Sequence, residues 1–277
     1  MKVAAIQMVS ATTLEANLAS AGGLLNEAAQ AGAELAVLPE YFCLLGHRDT
    51  DKLAIQEPFG AGVIQQFLAT QARKLGLWIV GGTLPISIDD PALGQTGKRV
   101  CNTSLVYSPQ GRCVARYDKI HLFRFDNGTE RYDESRVLQR GCEPQSFALA
   151  SRDGHTWRIG MSVCYDLRFP ELYRGYAREG ADLLLVPSAF THTTGEAHWE
   201  VLLRARAIEN QAFVVASAQG GLHENGRRTW GHTMLVDPWG TVMVQQPQGV
   251  GVVCDELSNE VLNECRVKLP ALDHRVL

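Results

Sequence analysis

One pattern occurs twice in this chain, and it limits the possible folds more than any other feature. Gly32-Ala33-Glu34-Leu35 leads to Pro39, and Gly180-Ala181-Asp182-Leu183 leads to Pro187 at the same spacing. Phe42 and Phe190 stand at the same offset, and each half later carries a turn, Pro109-Gln110-Gly111 or Pro238-Trp239-Gly240. Gly32 and Gly180 suit the left-handed position that ends a helix. The run over 33–38, apolar apart from Glu34, is the mark of a strand buried on both faces. Short Gly-Ala-acid-Leu strings also arise wherever a helix gives way to a strand. The alternative is therefore two unrelated units that happen to look alike.

The remaining signals fall into the same order twice. The first half reads as a strand over 2–7, then a helix opened by a Thr12-x-x-Glu15 capping box and stopped at Gly32. A strand over 33–38, a helix over 63–75 stopped by Gly76 and a strand over 77–81 follow. Strands 103–107 and 113–117 flank the turn Ser108-Pro109-Gln110-Gly111. The second half reads as strand 158–163, a helix from Pro170 to Gly180, strand 182–186, helix 197–210 and strand 212–216. Strands 233–236 and 241–245 flank Asp237-Pro238-Trp239-Gly240. Each half is β-α-β-α-β-β-β. Two such sheets bury their apolar strands by stacking face to face with helices outside, which predicts a four-layer α-β-β-α sandwich of two mixed sheets. The expectation is a single domain over 1–277 with repeat halves of about 1–117 and 158–254. Segment 118–144 lacks periodicity, is charged and holds Asn127-Gly128, so it reads as a long functional or disordered loop. The tail, 256–277, is mixed polar and is expected to wrap a surface.

Composition narrows the function. A net charge of −4 offers no electrostatic footprint for nucleic acid or an anionic membrane. No apolar run approaches the ~20 residues that span a bilayer. The N-terminus starts like a signal peptide, but its apolar stretch is too short, so the expected location is cytoplasmic. Seven cysteines, an odd number without a C-x-x-C pair, argue against a disulfide framework or structural zinc. A small buried hydrophobe is the ordinary reading for any one of them. Walker, dinucleotide and H-E-x-x-H patterns are missing, and Gly160-x-Ser162-x-Cys164 resembles a serine elbow without its last glycine. His121 and His198 are candidates for a papain-like pair with Cys164, but neither lies in that local pattern.

Three residues at strand ends have chemistry to offer. Cys164 follows the apolar strand and precedes a helix, where backbone N–H groups and the helix dipole favour a thiolate and leave the nucleophile accessible at the surface. Its other reading is a buried structural cysteine. Glu40 follows strand 35–38 after Pro39; a carboxylate beside such a run is partly desolvated and raised toward a general-base pKa, or is an exposed loop acid. Lys119 ends a strand and opens the long loop, as an oxyanion-stabilising cation or a surface lysine. Glu134, in Tyr132-Asp133-Glu134-Ser135, reads on sequence alone as solvated.

Taken together, the segments around these positions resemble the nitrilase, or carbon–nitrogen hydrolase, superfamily. Leu38-Pro39-Glu40 is similar to its glutamate motif, Lys119-Ile120-His121-Leu122-Phe123 to its lysine motif, and Val163-Cys164-Tyr165-Asp166-Leu167-Arg168-Phe169-Pro170-Glu171-Leu172 to its cysteine motif. The similarity covers almost the whole chain, with order and spacing matched. It implies an αββα sandwich paired into an αββα–αββα homodimer. It also implies Glu40 as general base, Lys119 and the Tyr165 backbone N–H as oxyanion donors, Cys164 as nucleophile and Glu134 as the second glutamate. No metal or organic cofactor is implied. Pro187-Ser188-Ala189-Phe190, the segment 197–209 and Gly231-His232-Thr233-Met234 point to a branch similar to the deaminated glutathione amidases, with omega-amidases as near relatives; loop 124–140 departs from the usual sequence. An inactive binding scaffold and an acyl transferase are the readings from other classes.

Two expectations come from single side chains. Arg168, four residues after the nucleophile, is placed to bind a substrate carboxylate in bidentate fashion, or to pair with Asp166 or Glu171. Val201, Leu202, Ala205 and Ile208 give helix 197–210 an apolar face, for a dimer partner or for its own sheet, and Arg204 and Arg206 need carboxylate partners.

Overall fold

A computed structural model describes residues 1–88, 99–129 and 131–276. Glu130 of the long loop and Leu277 of the tail lie outside the described residues. The chain opens with β1 (Lys2–Gln7), α1 (Leu14–Gln30), β2 (Leu35–Val37), α2 (Val63–Leu75) and β3 (Trp78–Val80). Then come β4 (Leu84–Ser87), β5 (Val100–Tyr107) and β6 (Cys113–Asp118). The loop between the halves holds a small hairpin, β7 (Arg124–Asp126) and β8 (Arg131–Asp133), and the short β9 (Leu138–Gln139). The second half comprises β10 (Ser146–Ala150), β11 (Thr156–Met161), α3 (Pro170–Arg178), β12 (Leu183–Leu185), α4 (His192–Asn210), β13 (Phe213–Ala216), β14 (Thr233–Val236) and β15 (Val242–Gln246). β16 (Gly251–Glu256) and α5 (Asn259–Lys268) close the chain.

Two mixed sheets carry the fold. One runs β16-β1-β2-β3-β5-β4, with β6 and β9 also on the long β5; the other runs β10-β11-β12-β13-β14-β15. In each, three strands are parallel and the flanking strands antiparallel. The alternation of side chains explains the layers. Along β1, Val3 and Ala5 join the core shared with the second sheet, while Ala4 and Ile6 join Leu24, Leu25, Ile64 and Leu68 under the helices. Leu35 and Val37 of β2 face the other sheet and Ala36 faces the helices. Each buried Leu or Val side chain contributes roughly 1.5–3 kcal/mol, so a one-residue register slip in these two-sided strands would be costly. The result is the four-layer α-β-β-α sandwich. No helix among the described residues is long and apolar enough to cross a membrane.

Several expectations need correction. The Thr12–Glu15 capping box does not form. α1 starts at Leu14 with no side-chain cap, and Thr12 gives its N–H and hydroxyl to Glu224, at 2.9 and 2.8 Å; a carboxylate from the other half outcompetes the local cap. Segment 118–144 is not structureless, since it holds β7, β8, β9 and a 3-10 turn over Glu134–Arg136. The tail contains α5, whose Leu262 and Cys265 are buried and whose Arg266 donates to the Ala181 carbonyl at 2.7 Å and to Asp182 at 3.1 Å. α4 begins at His192, where the Thr191 hydroxyl caps it. Its inward face is Trp199, Leu203, Arg206, Ala207 and Asn210; Val201 and Ile208 lie exposed and Leu202 and Ala205 half-buried. Arg206 can face inward because Leu167 O and Glu209 accept its protons, and Arg204 lies 3.6 Å from Glu200.

Candidate active site

The site gathers where the parallel strands of both sheets end. Beyond β2 the chain runs through Leu38-Pro39 to Glu40, held close to Gly82. A Cβ there would come within 2.0 Å of the Pro39 carbonyl, so only glycine permits the approach. Beyond β11 the chain turns at Cys164 into a 3-10 helix, Cys164–Arg168. Tyr41 and Cys164 both take left-handed backbone, with φ of 56° and 51°. In a residue other than glycine this costs on the order of 1–3 kcal/mol and concentrates at functional sites. Lys119 follows β6, its N–H donating to Asn102 O at 3.0 Å.

These three side chains meet in the interior. Lys119 Nζ lies 2.9 Å from Glu40 Oε1 and 2.9 Å from Glu134 Oε2. Asn102 Nδ2 also donates to Glu40 Oε1, and the Ala189 N–H to Glu40 Oε2, both at 2.9 Å. Cys164 lies close enough to Glu40 and Lys119 to feel both charges. Glu134 accepts from Tyr41 OH and from the Phe123 N–H, each at 2.7 Å. Cys164 is 7% exposed, Glu40 1% and Lys119 not at all, so the nucleophile candidate is buried rather than at the surface. Glu134 is not solvated as the sequence suggested: the turn after the β7–β8 hairpin folds it onto Lys119.

Burial and charge set the protonation states. Burial pushes the Glu40 carboxyl up; Lys119 pulls it back, and the Glu134 charge adds to the rise, leaving it raised. Burial alone would lower Lys119, but Glu134 and Glu40 hold its ammonium well above the ordinary value. Glu134 is raised by burial and brought below the carboxylate range by Lys119. Burial and the neighbouring Glu40 push the Cys164 thiol well up, against the pull of Lys119. The expected helix-end stabilisation of a thiolate is therefore overruled, because a second negative charge in this enclosure is opposed by two carboxylates.

Asp166 holds the turn. It accepts from the Val163 N–H (2.8 Å), Tyr117 OH (2.7 Å) and the His121 N–H (3.0 Å), and its Oδ1 lies 2.7 Å from His121 Nδ1. His121, stacked on Phe169, is thus engaged with Asp166, and His198 Nδ1 with Arg168 NH1 at 3.2 Å. Arg168 pairs with neither Asp166 nor Glu171 among the described residues. It stands over the Tyr165 and Phe190 rings in the hollow that Cys164 and Ala189 line. The Tyr165 N–H opens the 3-10 turn, where intrahelical acceptors are lacking. Among the described residues no cluster of three or more His, Cys, Asp or Glu side chains is arranged around a metal position.

The profile of the carbon–nitrogen hydrolase family matches residues 2–267. The chain belongs to this family. A deaminated glutathione amidase of Synechocystis is 41% identical over 276 residues, 99% of this chain and 97% of the relative. Among solved structures, yeast Nit3, a member of branch 10 of the nitrilase superfamily, superposes with a TM-score of 0.85 at 30% identity, covering 100% of this chain and 97% of that one. The NitFhit protein of C. elegans gives a TM-score of 0.85 at 36% identity; 99% of this chain is covered but only 65% of that longer chain. Within this carbon–nitrogen hydrolase, sequence reasoning missed Asn102, Tyr41, Asp166 and the Ala189 N–H. Asp166 was within reach, since a carboxylate two residues after a candidate nucleophile at a strand end has backbone donors to hold. Asn102 and Ala189 gave no signal, because they act through contacts made across the fold.

Proposed function

We propose that this carbon–nitrogen hydrolase is an amidase that cleaves a small carboxylate-bearing amide through a Cys164 thioester, with deaminated glutathione as its substrate. The observation that carries the reading is the buried constellation of Lys119 between Glu40 and Glu134, with Cys164 buried beside them. With the thiol neutral the four groups sum to one negative charge. Moving the thiol proton to Glu40 preserves that sum, whereas losing it to solvent adds a charge the enclosure disfavours. Glu40 is thus the general base, taking the proton as sulfur attacks the amide carbon. Lys119 Nζ and the Tyr165 N–H stabilise the oxyanion. Collapse breaks the C–N bond, the amine leaves with the proton from Glu40, and the thioester remains. Glu40 then takes a proton from water, whose oxygen attacks the thioester; the acid leaves and the thiol is restored. Glu134 positions Lys119.

Arg168, beside the Cys164 hollow and free of Asp166 and Glu171, is assigned to a carboxylate on the acyl side, as deaminated glutathione carries. An omega-amidase substrate such as an α-ketoglutaramate-like amide would present the same group, so the two differ in the leaving amine. The 1–277 chain acts as one domain of two related halves, in the cytoplasm, and as a homodimer through surfaces that include the exposed Val201 and Ile208 of α4. The test is a mass-spectrometric screen of carboxylate-bearing amides, with the intact protein weighed during turnover. A mass gain equal to the acyl group, lost in Cys164→Ala, is expected; turnover that survives in Cys164→Ala refutes the thioester. Added hydroxylamine separates hydrolysis from acyl transfer.

A further inference from the structure

Two cations border the site without a carboxylate in ion-pair reach among the described residues. Lys52 Nζ, on a 3-10 helix over Asp49–Ile55, lies 4.7 Å from the centre of the Tyr41 ring, and Arg227 Cζ lies 5.1 Å from that of Tyr132. Tyr132 tilts against Phe123 at 5.8 Å, Phe123 meets Tyr165 edge-on at 5.2 Å, and Tyr165 carries the Arg168 guanidinium at 5.8 Å. An aromatic row beside Cys164 thus bears a guanidinium at each end. Arg227 is delivered there on purpose-built contacts. Its loop is tied to the first half by Asn225 Nδ2 donating to Gly46 O at 2.7 Å, His223 Nδ1 on Ser10 O at 3.0 Å, and Glu224 on Thr12; Asn225 Oδ1 then accepts the Arg227 N–H at 2.9 Å. Glu134, which attracts the Lys52 ammonium, is already used by Lys119, Tyr41 and Phe123. Burial lowers the Lys52 ammonium pKa, Glu134, Asp49 and Glu40 pull it back, and the nearby Arg227 adds to the fall, leaving it lowered. Like charges gathered in this way are relieved by a bound anion.

We propose that Lys52 and Arg227 form a second carboxylate subsite, which reads an anion on the leaving amine of the scissile amide. The inference rests on the amidase reading above. The side follows from the mechanism: the acyl group stays on Cys164, in the hollow that Arg168 lines, whereas the amine takes its proton from Glu40, whose chain neighbour Tyr41 lines a separate hollow with Lys52. The substrate class is then an amide with a carboxylate on each side of the scissile bond, as an acyl dipeptide has.

The experiment compares a glutaryl monoamide of glycylglycine with the same compound carrying a terminal carboxamide in place of the leaving-group carboxylate. In the parent enzyme kcat/KM is expected to favour the first. Arg227→Gln and Lys52→Gln should each cut that preference roughly 10–100-fold, mainly through KM, the scale of a hydrogen bond to a charged group, and Arg227→Lys should retain part of it. A preference unchanged in both Gln variants overturns the subsite. If the parent enzyme hydrolyses neither compound, the amidase reading on such amides fails. Calorimetric binding of the same two compounds to Cys164→Ala protein, with and without each Gln substitution, then decides the subsite by the same ratio.

Discussion

The turns that follow β2 and β12 start alike and end in different chemistry. After β2 the chain runs Leu38-Pro39-Glu40-Tyr41-Phe42; after β12 it runs Val186-Pro187-Ser188-Ala189-Phe190. The Leu38 N–H donates to Val80 O and the Val186 N–H to Val215 O, so each turn leaves its sheet at the matching rung. Both phenylalanines are buried. The first turn then presents a carboxylate. The second presents backbone: the Ala189 N–H donates to Glu40, and Pro187 O accepts the Cys164 N–H at 3.0 Å. Strand register gives Cys164 a counterpart too. Val3 pairs with Leu35 as Ile159 pairs with Leu183, which sets Met8 against Cys164. One scaffold, used twice, supplies one set of ionisable groups and one set of fixed dipoles to hold them.

The comparison breaks most sharply where the ionisable groups are removed. Cys164→Ala should abolish turnover while circular dichroism and the melting temperature stay near the parent values. Glu40→Gln should lose roughly 10²–10⁴ in kcat/KM, the scale of a general base. The pH profile of the parent enzyme adds a check. Protonated Glu40 cannot accept the thiol proton, so kcat/KM falls as pH drops through the Glu40 pKa, which burial places above the ordinary carboxylate range. Because the thiol is held well above its usual value, alkylation by iodoacetamide, followed on the Cys164 peptide by mass spectrometry since Cys113 and Cys142 are exposed thiols, should show no ionisation step at an ordinary cysteine pKa. A rise in alkylation there would mean that Cys164 titrates as a free thiol.

Lys119→Ala comes next. It removes the proposed oxyanion donor, expected to be worth roughly 10²–10³ in rate. It also leaves Glu40 and Glu134 buried without their cation, a loss on the order of 3–5 kcal/mol in stability. Urea denaturation and steady-state kinetics measure the two separately; a rate loss below tenfold would assign Lys119 to structure alone. Asp166→Asn should have a smaller effect, on the order of 10–100-fold in kcat with little change in KM, as expected when a nucleophile is misplaced by a fraction of an ångström to one. A change confined to KM would place Asp166 at the substrate instead of behind the turn.

What the sequence revealed follows the same division. Glu40 and Cys164 were legible because each is a reactive residue at the end of an apolar strand, and Lys119 because it closes a strand marked by the Ser108–Gly111 turn and opens the long loop. β1, α2 and β14 were read to the residue, since two-sided burial and a clear helical stripe dominate there. Groups that act through distant contacts left no such mark. Glu134 looks solvated until the β7–β8 hairpin brings it to Lys119. β10 and β16 were missed because each is an edge strand of modest apolar character, defined by pairing with β11 and with β1. The inward face of α4 was misread because Arg206 and Asn210 are polar, and only the carbonyls and carboxylates around them make their burial affordable.

The smallest effect tests the comparison from its quiet side. Ser188 occupies in the second turn the position that Glu40 has in the first, and it is fully buried. Its hydroxyl donates back to Val186 O at 3.1 Å, its N–H to Ser217 O, and its carbonyl accepts from Gln219. If this turn contributes through its backbone, the hydroxyl is dispensable. Ser188→Ala keeps the N–H of Ala189 aimed at Glu40 and loses one local hydrogen bond, worth about 0.5–1.5 kcal/mol of stability. Turnover should stay within about threefold of the parent, since each factor of ten in rate requires about 1.4 kcal/mol at the transition state. Glu40→Gln at the matching position should meanwhile lose orders of magnitude. A comparable collapse in Ser188→Ala would mean that the second turn supplies a side chain to the chemistry, and the assignment of fixed dipoles to one turn and ionisable groups to the other would have to be abandoned.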